Sequence, residues 1–439
     1  MKRFLLLSIA LVIISAGLFA TGSRQQSGST VTTLPPGAKS LDRFTINYFD
    51  HNEDPATTAR QRIKDFYANV EKLYKSLYPN ANLVITGMEG GEGTNVLQMQ
   101  FASGTGPDVF EFGNKLVPWV QAGYLYDLSD QSWAADVVEA AYPEVRYNGK
   151  IYGAPVKVSG WLLYYNKPIY EDQLRLRAPQ NFQQFLDNCE AIKRAGYAPL
   201  VTGGADGWPF LGTFLTFSSF VFGSNRNFPV DLYNGRASLA GKEINDLFGA
   251  IKTLYDRGYF SDATVSISWG GALQHLAEGR AVMMFAPGGL NPADDGYNTE
   301  VGCFYIPDYN GFNCLPVVAD SSFGVNARYR YASTYGADLI KCLIDDSSLH
   351  IIADDSSPVA YKSKVMATNT LGTRMFQEAF NRGPVVMQTS SWIPGSVFNA
   401  TIPIISSILS GNGFTQQMLN DLQRNYEADK NQINFAAFN

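Results

Sequence analysis

Cysteine and histidine are scarce in this sequence, whose 439 residues include 4 Cys and 3 His. His51, His275 and His350 lie far apart, and no Cys-x-x-Cys or His-Glu-x-x-His spacing occurs. These absences exclude the common zinc motifs. No G-x-S-x-G nucleophile elbow, phosphate-binding loop or complete G-x-G-x-x-G is present either. We therefore expect neither a metal site nor a cofactor.

An excess of positive charge is also missing, because 34 Lys and Arg stand against 40 Asp and Glu, for a net charge of −6. No basic stripe with interleaved aromatic residues occurs along the chain. Nucleic-acid binding depends on such positive surfaces. Nucleic acid is therefore not an expected partner.

Long apolar runs are confined to the N-terminus. Lys2 and Arg3 precede an apolar run from Phe4 to Gly17, and Ala20 offers a small residue for cleavage. The run is shorter than the roughly 20 residues that a bilayer span needs, and its pattern is typical of a secretory signal peptide. We predict that residues 1–20 are cleaved and that the mature chain is exported without membrane insertion.

The segment after the predicted cleavage site, residues 21–40, consists mainly of Gly, Ser, Thr, Gln and Pro. Such a composition buries too little apolar surface to fold, so we predict a disordered tether. No cysteine lies near the cleavage site, which argues against a lipid-modified N-terminus. We expect the exported chain to be a monomer.

The region after the tether alternates between strand and helix patterns. Phe44–Phe49, Asn82–Thr86 and Pro107–Phe112 are typical of buried strands, and Thr94–Ser103 is typical of a helix. A further helix is predicted from an apolar stripe with spacings of three and four, formed by Ile63, Phe66, Val70, Leu73 and Leu77. This alternation predicts a mostly parallel sheet with helices on both faces.

The later part of the chain continues this alternation. A buried strand is predicted at Ala281–Phe285, and the C-terminal part is rich in helix patterns. These helices are predicted near Tyr331–Leu343, Thr373–Phe380, Ser396–Leu409 and Thr415–Asp429.

The four cysteines divide into two groups. Cys303 and Cys314 flank a Pro- and Gly-containing turn and could close a short hairpin as a disulfide, which export permits, or remain thiols. Cys189 and Cys342 occupy apolar helical positions, where cysteine usually packs as a small core residue.

Aromatic residues are abundant, with 6 Trp, 24 Tyr and 28 Phe. Trp161, Trp208 and Trp269 adjoin glycines in predicted loops, and Trp392 stands just before a predicted helix. One such indole often fills a core, but four at predicted strand-to-helix junctions favour a ligand with flat apolar faces. Sugars fit, because their faces stack on rings and their hydroxyls bind Asp, Asn, Glu and Arg.

Four segments in order along the chain resemble those of bacterial extracellular solute-binding proteins of family 1, the group that includes maltose-binding proteins. The first is FASGTGPDVFEFGNKLVPWVQAGYLYD at Phe101–Asp127, which contains an ASGTGPD turn before a strand. The others are NGKIYGAPVKVSGWLLYYNK at Asn148–Lys167, KRAGYAPLVTGGADGW at Lys193–Trp208 and GRAVMMFAPG at Gly279–Gly288. The resemblance covers roughly Phe44 to Asp429.

The resemblance implies an α/β fold of two doubly wound lobes joined by crossover strands, the type II periplasmic binding protein architecture. We assign residues 41–157 and 317–373 to the first lobe, and residues 158–316 and 374–439 to the second. The first crossing is expected at Val156–Ser159 and the second near Tyr305–Val318. The family delivers a mono- or oligosaccharide to the permease subunits of an ATP-driven importer, so a sugar and these subunits are the implied partners.

The family pattern also implies ligand contacts, residue by residue. Maltose-type members often carry an acid at the crossover position held here by Ser159 or Gly160, so that contact is missing, and Trp161 compensates or simply packs. The loops that follow the matched strands supply the remaining implied contacts, which are Glu111, Phe112, Asn114, Asp206, Trp208, Trp269, Gly288 and Trp392. Core filling stands as the alternative for each tryptophan.

Two other functions remain open from the sequence. A secreted polysaccharide-acting enzyme could use a carboxylate pair such as Glu89 and Glu111, since only spatial proximity is required. A receptor that presents its ligand to a chemosensory or sensor-kinase protein would share the binding fold. The first predicts turnover, whereas our main hypothesis is a receptor without catalysis.

Overall fold

The structure is a computed structural model, and it describes residues 34–51, 53–58, 60–88, 93–113, 116–288, 290–353, 359–364, 378, 385–387 and 389–438. Some of the predictions above lie outside these residues, either fully or for the most part. They are the signal peptide, most of the tether, Glu89, Asn114 and most of the helix at Thr373–Phe380.

The strands are short, except for two long ones in the middle of the fold. In chain order they are β1 (Thr45–Asp50), β2 (Asn82–Gly87), β3 (Val109–Glu111), β4 (Arg146–Tyr147), β5 (Lys150–Ile151), β6 (Ala154–Asn166), β7 (Ala198–Val201), β8 (Ala281–Pro287), β9 (Val301–Phe304), β10 (Leu315–Val325) and β11 (Val385–Met387).

Helices separate most of the strands and dominate the C-terminal part. In chain order they are α1 (Gln61–Leu77), α2 (Gly93–Ser103), α3 (Leu116–Gln121), α4 (Tyr142–Val145), α5 (Phe182–Arg194), α6 (Pro209–Thr216), α7 (Ser218–Ser224), α8 (Phe228–Tyr233), α9 (Lys242–Asp256), α10 (Trp269–Ala277), α11 (Ala337–Leu343), α12 (Asp346–Ala353), α13 (Thr389–Trp392), α14 (Gly395–Leu409) and α15 (Gln416–Asp429).

Helix α1 shows how the sequence sets the local structure. Ile63, Phe66 and Val70 of the predicted stripe are buried, and Tyr67 and Tyr74 are buried with them. Leu73 and Leu77 are only partly buried, because the large tyrosine rings take over part of the face that contacts the sheet. The predicted helix is confirmed, with its buried face rotated toward the tyrosines.

One nine-stranded sheet runs through the molecule in the order β2-β1-β3-β10-β6-β8-β7, with β11 beside β10 and β9 beside β6. Strand β1 is parallel to β2 and β3, and β7 is parallel to β8. The central neighbours β3–β10, β10–β6 and β6–β8 are antiparallel. The expectation of a mostly parallel sheet therefore holds toward the edges and is wrong in the middle.

Strands β6 and β10 connect the two halves of this sheet. Their paired section places Val317 opposite Gly160 and Phe323 opposite Ala154. Beyond it, β10 continues along β3 and β6 continues along β8 and β9. We call the half around β1–β3 lobe 1 and the half around β7–β9 lobe 2; the lobe boundaries assigned from the sequence remain a prediction.

The hydrophobic core has three parts. One lies on the α2 and α3 side of lobe 1 and includes Phe101 and Trp119, and one fills lobe 2 around Phe182 and Phe248. The largest follows the crossover strands and joins apolar residues of both lobes, from Ile46 to Val301. The two halves are thus not separately cored, because apolar side chains of β6 and β10 belong to this shared part of the core.

The four cysteines are present as buried thiols. Cys303 lies in β9, whereas Cys314 immediately precedes β10. The disulfide alternative for this pair is therefore not what the structure contains, and both residues pack as small apolar groups.

Candidate functional site

A cleft of about 820 Å³ opens between the lobes beside the crossover strands. Lobe 1 contributes Asp50 and Glu111, the last residues of β1 and β3, and lobe 2 contributes Asp206 and Trp208. Lys157 of β6 lines the space between them. The cleft therefore lies at the carboxyl ends of parallel strands, where ligands bind in α/β sheets.

The lobe 1 wall contains a buried cluster of ionisable side chains. Nδ1 of His51 lies 3.4 Å from Oε2 of Glu111. Tyr67 donates a hydrogen bond to Oδ2 of Asp50, and the Tyr67 and Tyr48 hydroxyls are 3.1 Å apart. Oδ1 of Asp50 accepts from the Glu53 amide at 3.1 Å. The two carboxylates are thus oriented by the residues behind them.

Within this cluster the pKa of Glu111 is lowered, whereas the pKa of Tyr67 is raised. Burial alone would raise the pKa of the Glu111 carboxyl, but the His51 imidazole and hydrogen bonding with His51 and Ser321 hold that pKa below its ordinary range. Burial and nearby acids raise the pKa of Tyr67 well above its ordinary value. Glu111 is therefore an ionised acceptor at neutral pH, and Tyr67 remains a donor.

The same cluster has the donor set of a divalent metal site. Ligand atoms of Asp50, His51 and Glu111 all lie within 4.8 Å of one another. Two carboxylates and one imidazole suit several first-row divalent metals. The same residues are also explained as an internal cluster that contains the His51–Glu111 ion pair, so the expectation of no metal stays a prediction.

Three tryptophans form the wall of lobe 2. The ring centroid of Trp208 lies 4.9 Å from that of Trp269 and 6.0 Å from that of Trp161. Trp208 is 41% exposed, although large apolar side chains are usually buried. Its indole therefore offers an apolar surface on the cleft side of this cluster.

Local structure holds this wall in place. The Ser268 side chain caps α10 by accepting from the Gly271 amide, so the helix begins at Trp269. Oδ2 of Asp206 accepts from the Trp269 amide at 2.6 Å, which ties the turn before α6 to the start of α10. Asp206 thus has a structural contact in addition to its place in the cleft.

Trp161 lies inside β6 and not in the predicted loop. It is 9% exposed, and a Cβ at Gly212 would fall 1.7 Å from its Cζ3 atom. Only glycine at that position lets α6 approach the ring so closely. Trp161 therefore supports Trp208 from behind.

Phe112 and Trp392 are placed in the core, away from the cleft. Phe112 is buried with the Phe101 and Trp119 part of the lobe 1 core. Trp392 is 2% exposed and packs edge-on against Phe222 and Phe228. The expectation that these two rings contact a ligand is corrected accordingly, because each fills space between packed elements.

The remaining predicted residues have mixed outcomes. The Gly288 amide follows β8 and donates to the Gly160 carbonyl at 2.6 Å, which extends the pairing of β8 with β6. Asn114 lies outside the described residues. Glu111, Asp206 and Trp208 are the predicted contacts that line the cleft together.

Sequence reasoning missed several residues of the site. Asp50 directly follows the predicted strand FTINYF, and the rule that ligands bind at the carboxyl ends of parallel strands would have found it. His51 was considered only for zinc spacing. The cleft charges of Arg60, Arg62 and Lys157 carried no sequence signal, because only the fold brings them together.

Comparison with known proteins finds one matching protein family and several related proteins. The family described as bacterial extracellular solute-binding protein matches residues 58–318. A multiple sugar-binding protein of Streptococcus mutans is 24% identical over 336 residues, which is 73% of this chain and 76% of that protein. The diacetylchitobiose-binding protein DasA of Streptomyces coelicolor is 31% identical over 110 residues, 24% of this chain and 26% of that protein.

Solved structures share the fold. A chitin oligosaccharide binding protein has a TM-score of 0.76 at 21% identity, covering 89% of this chain and 99% of its own. A Bacillus licheniformis sugar transporter in complex with stachyose has a TM-score of 0.71 at 14% identity, covering 88% and 100%. The fold is thus that of the periplasmic binding proteins, with two α/β lobes joined by crossover strands.

Proposed function

Because the chain belongs to the bacterial extracellular solute-binding protein family, we propose that it is the sugar receptor of an ATP-driven importer. It binds a mono- or oligosaccharide in the cleft between the lobes and releases it unchanged. The names of several similar proteins support a sugar, since they include a multiple sugar-binding protein and a chitin oligosaccharide binding protein.

One observation carries the proposal: an exposed indole faces a wall of oriented acids across one cleft. Trp208 offers the apolar surface, while Asp50 and Glu111 offer acceptor oxygens. A sugar ring combines an apolar face with hydroxyl donors at its edge, so both walls are used at once. Trp269 extends the platform beside Trp208.

The charge of the lining fits an uncharged ligand. Four acids and three bases line the cleft, namely Asp50, Glu53, Glu111 and Asp206 against Arg60, Arg62 and Lys157. Oε1 of Glu53 pairs with Arg60 at 2.6 Å, which neutralises part of this charge internally. A neutral polyhydroxy compound matches such a mixed set of donors and acceptors better than a strongly charged one.

Binding is coupled to closure of the lobes. Residues of both lobes reach a ligand fully only when the cleft is narrow, so the ligand favours the closed arrangement by its differential affinity. The crossover strands β6 and β10 are the elements about which this rotation occurs. The closed form then presents the sugar to the permease subunits in the membrane.

The receptor acts outside the cytoplasm, in the periplasm. The matched family is extracellular by description. Among the described residues, none of the helices is both long and apolar enough to cross a membrane.

Isothermal titration calorimetry of the purified protein with raffinose, stachyose and chitin oligosaccharides tests the proposal. We expect saturable heat with at least one sugar, accompanied by a rise in melting temperature. Chromatography of the sugar after long incubation should return it unchanged. Absence of binding across a broad saccharide panel would contradict the sugar assignment, and release of reducing ends would contradict the receptor assignment.

A further inference from the structure

Ser321 has an unusual backbone conformation within the crossover strand β10. Among the described residues, three that are not glycine have a positive φ, namely Asn148 at 49°, Arg175 at 57° and Ser321 at 57°. Asn148 and Gly149 form the two-residue turn of the β4–β5 hairpin, where a positive φ is common. Arg175 follows a short helical segment that ends at Gln173. Ser321 is the one of the three that lies inside a strand.

This conformation is costly for a serine. The Cβ atom of an L-residue crowds the backbone at positive φ, so glycine is the residue that usually occupies such positions. Strained residues of this kind persist only where the surrounding structure holds them, and they concentrate at binding sites and switch regions. The presence of serine at position 321 therefore indicates that its side chain is used.

The Ser321 side chain acts at the sugar cleft. Ser321 lines this cleft together with Glu111 and Phe323. Its hydroxyl donates a hydrogen bond to the buried Glu111 carboxylate. Because Glu111 is one of the two acids that we assign to the sugar hydroxyls, the strained residue directly orients an acceptor of the binding site.

The place of Ser321 in β10 is where the strand exchanges one set of neighbours for another. Strand β10 pairs with β11 over Leu315–Val317 and with β3 over Phe323–Val325. Ser321 lies between these two sections. A change of backbone angle at this residue therefore alters the direction of the lobe 1 section relative to the section beside β11.

The ladder between β10 and β6 restrains the backbone weakly beside Ser321. The next residue, Ser322, lies opposite Pro155, which has no N–H to donate. The Ser322 carbonyl accepts from the Phe112 amide at 3.0 Å, on the lobe 1 side. Rotation at Ser321 is thus less restrained by β6 than rotation within the paired section Val317–Asp320.

We propose that Ser321 is the hinge residue of β10 during lobe closure and a positioning residue for Glu111. The inference rests on the proposed function, because it assigns the residue that connects lobe movement to the sugar-binding wall. Rotation at Ser321 changes the angle between the lobes, while its hydroxyl keeps the Glu111 carboxylate directed at the cleft. The restricted backbone of serine also limits the lobe orientations of the sugar-free protein, so a larger fraction is ready to close.

Paired substitutions separate the backbone strain from the hydroxyl. Ser321→Ala removes the hydroxyl and keeps the strain, whereas Ser321→Gly removes both. We expect Ser321→Gly to melt about 1–2 °C above Ser321→Ala. Ser159 in β6 is the matched control, because it is not among the residues with positive φ. At that position the glycine variant should melt below the alanine variant, since glycine weakens a regular strand.

Sugar affinity should follow the opposite order at position 321. Ser321→Ala should weaken sugar binding about three- to tenfold, because Glu111 loses a donor that orients it. Ser321→Gly should weaken binding about threefold more, because its flexible backbone widens the range of lobe orientations that closure must restrict. A purely structural role of Ser321 would instead make affinity follow stability.

Scanning calorimetry and titration calorimetry on the same samples measure both orders, with a sugar that binds the unmodified protein. A melting temperature of Ser321→Gly at or below that of Ser321→Ala, or equal sugar affinity in the two variants, would overturn the hinge assignment. Unchanged affinity in Ser321→Ala would overturn the positioning role. Failure of every sugar to bind the unmodified protein would overturn the proposed function and the binding role of Ser321 with it, whereas the melting comparison needs no sugar and tests the strain separately.

Discussion

At the scale of single residues, Trp208 is the side chain on which the sugar proposal depends most. It is 41% exposed and lies beside Asp206 at the mouth of lobe 2. Trp208→Ala should weaken sugar affinity about 10- to 100-fold, which corresponds to about 1.4–2.8 kcal/mol, because the stacking surface is lost. Calorimetry measures this change.

Met99→Ala is the matched control for that variant. Met99 is 64% exposed on α2, outside the lining of the cleft. Its removal should leave sugar affinity unchanged. Equal losses in the two variants would mean that Trp208 contributes no specific contact.

A second prediction at the scale of single residues concerns Glu144 and the dependence of protein stability on pH. Its folded pKa is raised to about 8 by burial, with the Ser391 hydroxyl opposing, whereas an exposed glutamate titrates near 4.5. Between these values the folded state holds the proton that the unfolded state has lost, so the free energy of unfolding falls as the pH rises through this window.

Glu144→Gln removes this dependence and keeps an acceptor for Ser391. The variant should exceed the unmodified protein in stability at pH 8 by a few kcal/mol, and the difference should shrink toward pH 4.5. Urea unfolding across this pH range measures it. A difference that does not vary with pH would refute the assignment of the raised pKa to Glu144.

Residue burial is the part of the site that the sequence predicted least well. Glu111 and Trp208 lie within recognisable family segments and line the cleft, whereas Trp392 looks similar in sequence and is buried between Phe222 and Phe228. Both tryptophans adjoin helix starts, so local pattern does not separate them. Packing against distant elements decides which indole reaches the cleft.

At the scale of elements, two helix caps offer a controlled comparison. Ser268 caps α10 and Thr415 caps α15, each by accepting a backbone hydrogen bond. Ser268→Ala and Thr415→Ala should each cost about 1 kcal/mol of stability. Ser268→Ala alone should also weaken sugar binding by a few fold, because α10 begins at Trp269.

Thermal unfolding and calorimetry on the same samples distinguish the two effects. Similar losses of melting temperature with a selective loss of affinity in Ser268→Ala would support a positioning role for the start of α10. Unchanged affinity in that variant would show that the Trp269 platform does not depend on its cap.

Elements with strong local patterns were predictable, and elements defined by distant partners were not. The apolar spacing of α1 and the alternation around β1 and β2 predicted them closely. Strand β6 was not recognised at its full length, so Trp161 was predicted in a loop although it lies within the strand. Gly160 and Trp161 resemble a turn in the sequence. They belong to a strand because β8 and β10, which lie far away in the chain, pair with β6 on both sides.

At the scale of the whole molecule, sugar binding should change shape as well as affinity. Small-angle X-ray scattering should record a smaller radius of gyration when a bound sugar is saturating, because the lobes approach each other. Trp208→Ala should show no such change at the same sugar concentration and should regain it at higher concentration. A radius that stays constant at saturation would mean that binding occurs without closure.

The crossover strands have a consequence for how the lobes move. Strands β6 and β10 are hydrogen-bonded to each other in antiparallel register where they pass from one lobe to the other. A paired ribbon of this kind can twist, but its strands cannot slide past each other without breaking the ladder. The closure that we propose would therefore bend or twist this ribbon without breaking its ladder, and saccharides of different length would be enclosed at different angles between the lobes. The protein's preference for a saccharide of a given length would then follow from the angle between the Trp208 ring and the opposite wall of the cleft.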